Sequence, residues 1–143
     1  MTVLLNPYLR FRDSARQAMS FYQSVFGGEL VVNTFAEYGA ASGQEGDKIM
    51  HAQLETPQGF TLMASDTPEG MEHRPGNTVS ISLSGSEGEG LEEMFDKLAD
   101  GGTVTMPFEK QMWGDTFGMC LDRFGTSWMV NVASPENAAA ADS

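Results

Sequence analysis

Apolar residues recur along this chain with two periods, and the changes between them mark out its elements. From Ser14 to Phe26, the positions Ala15, Ala18, Met19, Tyr22, Val25 and Phe26 fall at three- and four-residue steps, the spacing of one helix face. Ser14 and Gln17 are spaced as a capping box, and Gly27-Gly28 stops the helix. After Ser86 the pattern returns in Leu91, Met94, Phe95, Leu98 and Ala99, closed again by a glycine pair, Gly101-Gly102. Ahead of each helix lies an alternating segment, Asn6–Phe11 in one half and Thr78–Leu83 in the other, which reads as a strand with one apolar face. Three strand-like runs follow each helix: Glu29–Tyr38, Lys48–Thr56 and Phe60–Ser65, then Thr103–Glu109, Thr116–Asp122 and Ser127–Ala133.

Two helices ending alike suggest an internal repeat. Superposing the glycine pairs sets Phe21 on Phe95, and Gly59 matches Gly125 as the turn before each last strand. That alignment pairs His51 with Phe117, Gln53 with Met119 and Met63 with Met129. The chain therefore reads as α+β, two βαβββ modules at 3–66 and 77–134 within one domain spanning 1–134. A stretch rich in Pro, Gly, Glu and Asp near Asp66–Asn77 reads as the linker, and 135–143, rich in Ala, Asp and Asn, as a disordered tail.

Composition narrows the partners. A chain of 143 residues that is 41% hydrophobic suits one packed domain. Eight Lys and Arg against twenty Asp and Glu leave a net charge of −12, and the basic residues are scattered along the chain. Nucleic acid and anionic membrane are held chiefly by Lys and Arg on phosphates, so neither is expected as a partner. No run approaches the roughly 18 apolar residues of a membrane span, and Met1–Leu5 lacks the basic start of a secretory signal, so a cytoplasmic protein is expected. The lone Cys120 has no second cysteine for a redox pair or a zinc site and reads as a buried structural thiol.

Four segments carry a resemblance: Asn6-Pro7-Tyr8-Leu9-Arg10-Phe11; Ala18-Met19-Ser20-Phe21-Tyr22 leading into Phe26-Gly27-Gly28; Leu62-Met63-Ala64-Ser65-Asp66; and Trp113-Gly114-Asp115 through Phe124-Gly125 to Trp128. In this order and spacing they resemble the PhnB-like branch of the vicinal oxygen chelate superfamily, which includes glyoxalase I, bleomycin and fosfomycin resistance proteins and extradiol dioxygenases. The resemblance covers about Leu5 to Val132. It implies paired modules forming a cup-shaped mixed sheet, usually in a homodimer, and in the enzymes of the superfamily a divalent metal held by His and Glu. Fold alone does not carry function.

The metal positions of the family fall best on Asn6, Met63, Thr78 and Met129, none of them a carboxylate or an imidazole. Neutral oxygens and soft thioethers are poor ligands for a hard or borderline cation, so no metal site and no cofactor are expected. His51 is the residue around which a divalent metal would be built if one binds; a regular strand sets Glu55 about 13 Å further along the same face, too far to share one ion. His73 lies in the linker and reads as solvated.

Strand alternation turns Tyr8 and Arg10 inward from the first strand, and His51, Gln53 and Glu55 against Phe117, Met119 and Leu121 from the third strands of the two modules. Trp128, Val130 and Val132 pack on the helix, which leaves Met129 and Asn131 inward. With Met63 and Met129 at the family's ligand positions and Trp113 and Asp115 on the preceding loop, the cavity reads as an apolar site with a few polar handles. Trp113 also fits an aromatic at a dimer interface, Asp115 a turn cap and the methionines core filling. Two functions follow: a homodimeric small-molecule-binding protein, or an enzyme of small-molecule metabolism, of lyase, transferase or dioxygenase type, using a metal or a His51–Asp115 acid-base pair.

Overall fold

The structure, a computed structural model, describes residues 3–39 and 43–142, and among these, eight strands and four α-helices follow one another in a doubled order. The first half runs β1 (Tyr8–Phe11), α1 (Ala15–Phe26), β2 (Glu29–Thr34), α2 (Gly43–Gly46), β3 (Ile49–Glu55) and β4 (Thr61–Asp66). The second runs β5 (Ile81–Ser86), α3 (Leu91–Ala99), β6 (Thr103–Lys110), β7 (Thr116–Leu121), β8 (Ser127–Ala133) and α4 (Pro135–Asp142). The sheets have matching orders, β1-β4-β3-β2 and β5-β8-β7-β6, and in each the first strand lies parallel to the last. The architecture is α+β with two four-stranded mixed sheets. The chain divides into the units Met1–Gly76 and Asn77–Ser143.

Each sheet buries one face under its own helix. All six apolar residues of the α1 stripe are buried, as are Leu91, Phe95 and Leu98 of α3. Against them lie Ala52, Leu54, Leu62 and Ala64 in the first unit and Leu83, Cys120, Trp128 and Val130 in the second. Period two on the strands then leaves the other face of each sheet to the residues in between.

The glycine pairs have the same physical reason in both modules. Gly27 and Gly101 take positive φ, 77° and 80°, as the chain leaves the helix. The glycines after them admit no side chain: a Cβ on Gly28 would overlap the Glu55 carbonyl oxygen, and one on Gly102 that of Leu121. The first glycine turns the chain and the second lets it pass against the end of the neighbouring strand.

Several local expectations are corrected. Ser14 forms no capping box, for its side chain makes no cap hydrogen bond. Asp66 takes that role from 51 residues away: its Oδ1 accepts the Ala15 N–H at 2.8 Å and its Oδ2 the Ile49 N–H at 2.8 Å. It is therefore buried at the end of β4, joining β3, β4 and α1, and is no linker residue. The strand expected over Glu29–Tyr38 stops at Thr34, whose Oγ1 accepts the Glu37 N–H and starts a 3-10 turn over Ala36–Tyr38. β5 starts at Ile81, not Thr78, because its partner β8 starts only at Ser127, after the Gly125 turn.

The tail is the largest correction. Residues 135–142 form α4, while Ser143 lies outside the described residues. Ser134 begins it: its carbonyl accepts the Ala138 N–H and its Oγ the Asn137 N–H, with Pro135 at the first helical position and an alanine run after it. The small and polar composition suggests disorder, yet alanine is also the strongest helix former.

Candidate functional site

On the open face of the first sheet, β2 and β3 set three pairs of side chains opposite one another: Glu29 with Glu55, Val31 with Gln53, and Asn33 with His51. These six residues line a groove of about 270 Å³. β1 adds Tyr8 at the His51 end, its phenol oxygen 3.4 Å from His51 Nδ1 and its ring centroid 5.8 Å from the imidazole. His51 Nε2 lies 3.5 Å from Gln53 Oε1, and Gln53 Nε2 donates to Glu55 Oε1 at 3.0 Å. A continuous chain, Tyr8–His51–Gln53–Glu55, thus runs along this face, and the distance expected to separate His51 from Glu55 is spanned by the glutamine amide.

The parallel register decides who sits beside the methionines. Met63 pairs with Tyr8, and Met129 with Ser82. Asn6 and Thr78, the residues expected level with them, lie outside the strands. Both nitrogens of His51 are within hydrogen-bonding distance of Tyr8 or Gln53. Among the described residues, no three His, Cys, Asp or Glu side chains converge to hold an ion.

The open face of the second sheet carries an apolar cluster among polar residues such as Ser82 and Asn131. Phe117 and Met119 of β7 and Met129 of β8 are half-buried on it, and Leu121 is exposed. Trp113 is 55% exposed in the loop before β7, its ring 6.3 Å from that of Phe117. Gly118, between Phe117 and Met119, points to the other face, where a Cβ would collide with Phe95 and Phe108, whose rings stack at 5.1 Å.

Asp115 is not poised for chemistry. It is buried, and its carboxylate accepts from Asn137 Nδ2 at 2.7 Å, the Ser134 N–H at 2.8 Å and Asn131 Nδ2 at 3.0 Å. The Asn137 amide above all, then the Ser134 N–H, hold its pKa below the ordinary 3.8. The Asn137 amide also donates to the Trp113 carbonyl at 3.0 Å, so one side chain of α4 ties down the loop carrying both residues. Asn131 is expected to face inward from its strand, but Ser134 and Asn137 are not legible as its companions because the segment that carries them reads as a tail.

Other groups have structural posts. Asp122 Oδ1 accepts the N–H groups of Phe124 and Thr126 across the Gly125 turn, and its Oδ2 accepts Trp128 Nε1 at 2.8 Å. Burial, with the Asp122 charge, pushes the Cys120 thiol up to about 11, so it is inert as a nucleophile. His73, expected to be solvated, is half-buried with Nδ1 3.2 Å from Thr67 Oγ1.

Comparison with known proteins places the chain. The family model described as 3-demethylubiquinone-9 3-methyltransferase matches residues 4–131. The crystal structure of protein PA1353 from Pseudomonas aeruginosa is 37% identical with a TM-score of 0.83, over 93% of this chain and 99% of that one. A putative 3-demethylubiquinone-9 3-methyltransferase, PhnB protein, from Bacillus cereus is 26% identical with a TM-score of 0.74, over 92% and 100%. A glyoxalase/bleomycin resistance protein/dioxygenase family enzyme from Burkholderia phytofirmans shares the fold at 14% identity and a TM-score of 0.59, over 89% and 95%.

Proposed function

Because this chain belongs to the family described as 3-demethylubiquinone-9 3-methyltransferase, the PhnB-like group of the glyoxalase/bleomycin resistance/dioxygenase superfamily, we propose that it binds a small molecule and does so without the superfamily's metal. The observation that carries this reading is the groove of the first module with its hydrogen-bonded wall, His51, Gln53 and Glu55, continued beyond His51 by Tyr8. Concave sites with a few convergent polar groups are where small ligands bind. Met63 adds a soft thioether beside Tyr8.

The metal is set aside on the chemistry of the donors. Asn6, Met63, Thr78 and Met129 offer no anionic or imidazole ligand, and His51 would have to give up Tyr8 or Gln53 to coordinate one. An acid-base pair of His51 with Asp115 is disfavoured because three donors hold that carboxylate ionised. Within the family, the chain is read as a homodimer in the cytoplasm, with neither nucleic acid nor membrane as partner. No described helix is long and apolar enough to cross a membrane.

Methyl transfer is the second reading, favoured by the family's own description. It would require a methyl donor, and no residue of the groove is assigned to hold one, so no step is assigned to it.

The test is a screen of small polar aromatics by thermal shift, followed by amide NMR mapping of the hits. Hits are expected to move the signals of Val31, Asn33, His51 and Gln53 and to bind at least about tenfold more weakly to Gln53→Ala. Hits that map elsewhere and ignore that substitution would overturn the reading. A stoichiometric divalent ion in freshly purified protein would overturn its metal-free part.

A further inference from the structure

The chain of side chains along the first module has a direction, and one residue sets it. A carboxylate only accepts hydrogen bonds, so the Gln53 amide nitrogen is the atom that faces Glu55, at 3.0 Å. The amide oxygen then faces His51 Nε2, at 3.5 Å, and an oxygen there calls for a proton on that nitrogen. In the neutral imidazole this leaves Nδ1 as an acceptor, and the group facing it, at 3.4 Å, is the Tyr8 hydroxyl. Tyr8 must therefore donate inward. At these lengths the two imidazole bonds are weak, and what they contribute is orientation.

A hydroxyl has one proton and two lone pairs. With its proton turned to His51, the Tyr8 oxygen presents only lone pairs to the open face, where the residue is 47% exposed. We propose that Tyr8 Oη is the specificity-determining acceptor of this site, so that the groove selects a small molecule bearing an O–H or N–H donor over one that only accepts. The inference rests on the reading of this groove as a ligand site.

The charges around His51 fit the same class. On its face, β1 supplies Arg10 beside Tyr8, β2 supplies Glu29, β3 supplies Glu55, and β4 supplies only the uncharged Met63 and Ser65. Glu29 and Glu55 stand opposite one another, and no ion pair joins either to a cation among the described residues. Two carboxylates at the far end disfavour an anionic group there, while Arg10 stands at the Tyr8 end.

The test uses the full chain with phenol as a donor probe and acetophenone as an acceptor-only probe of similar shape. Long-range nitrogen–proton NMR of the imidazole is expected to place the His51 proton on Nε2 at about pH 8. In amide titrations at that pH, phenol is expected to bind about threefold or more tighter than acetophenone. Tyr8→Phe, a change at an exposed position, should abolish the discrimination. A proton on Nδ1, or an acetophenone preference, would overturn the proposal. If neither probe moves the groove signals at millimolar concentration, the ligand-site reading itself falls and the proposal with it, and the imidazole spectrum shows separately whether the bond direction was right.

Discussion

Asp115 lies 2.7 Å from the Asn137 side-chain amide, and through that contact the start of β7 is tied to the last helix of the chain. With Asn131 and Ser134 completing the set, the carboxylate is held by three donors, each of which favours its charged form.

The folded-state pKa of Asp115 is lowered, by Asn137 first, so the stability it contributes is present above its ordinary value of 3.8 and is lost as pH falls through the folded value. Asp115→Asn is expected to lower the urea midpoint at neutral pH, and the gap to the wild type should narrow as the pH is taken below 3.8. Urea titrations of both proteins across that range check this; a gap that widens in acid would assign the carboxylate the wrong sign.

The two tryptophans should behave oppositely. Trp128 is fully buried and donates to Asp122, so Trp128→Ala is expected to cost about 3–5 kcal/mol of stability. Trp113, more than half exposed, should cost less than about 1 kcal/mol when replaced by Ala. Denaturation of the two variants checks the contrast.

Gly102→Ala is expected to destabilise the protein by about 1–3 kcal/mol or more, because the new methyl group meets the Leu121 carbonyl oxygen, a backbone atom that cannot rotate away. Gly59→Ala is the control. Nothing lies near its Cβ position, and its penalty comes only from a φ of 99°. Paired melting curves should rank Gly102→Ala as the more damaging change.

Chelation should leave the melting temperature where it is, since no anionic or imidazole ligand occupies the family's metal positions. A fall of several degrees after chelation, reversed by zinc, nickel or manganese, would reveal a ligand set other than the one read from Asn6, Met63, Thr78 and Met129.

Light scattering at micromolar concentration is expected to give twice the mass of one chain. A mass of one chain would defeat the homodimer.

Local periodicity is enough for α1, α3, the glycine pairs and the repeat. The α1 stripe from Ala15 to Phe26 and the Phe95–Leu98 pair of α3 are buried as their spacing requires, because 3.6 residues per turn is a property of the chain itself. Four motifs in order likewise sufficed for the family. What tertiary structure alone decided is which distant residue completes each local pattern. Ser14 had the spacing of a cap, yet Asp66 delivers an oxygen to the Ala15 N–H once β4 lies beside β1, and no local pattern encodes that approach. Tyr8, not Asn6, sits beside Met63 because register is a choice between two strands, whereas alternation is a property of one. The alanine-rich end became α4 because Asp115, twenty-two residues upstream, accepts from Asn137 on it, and a short helix needs such a partner to persist.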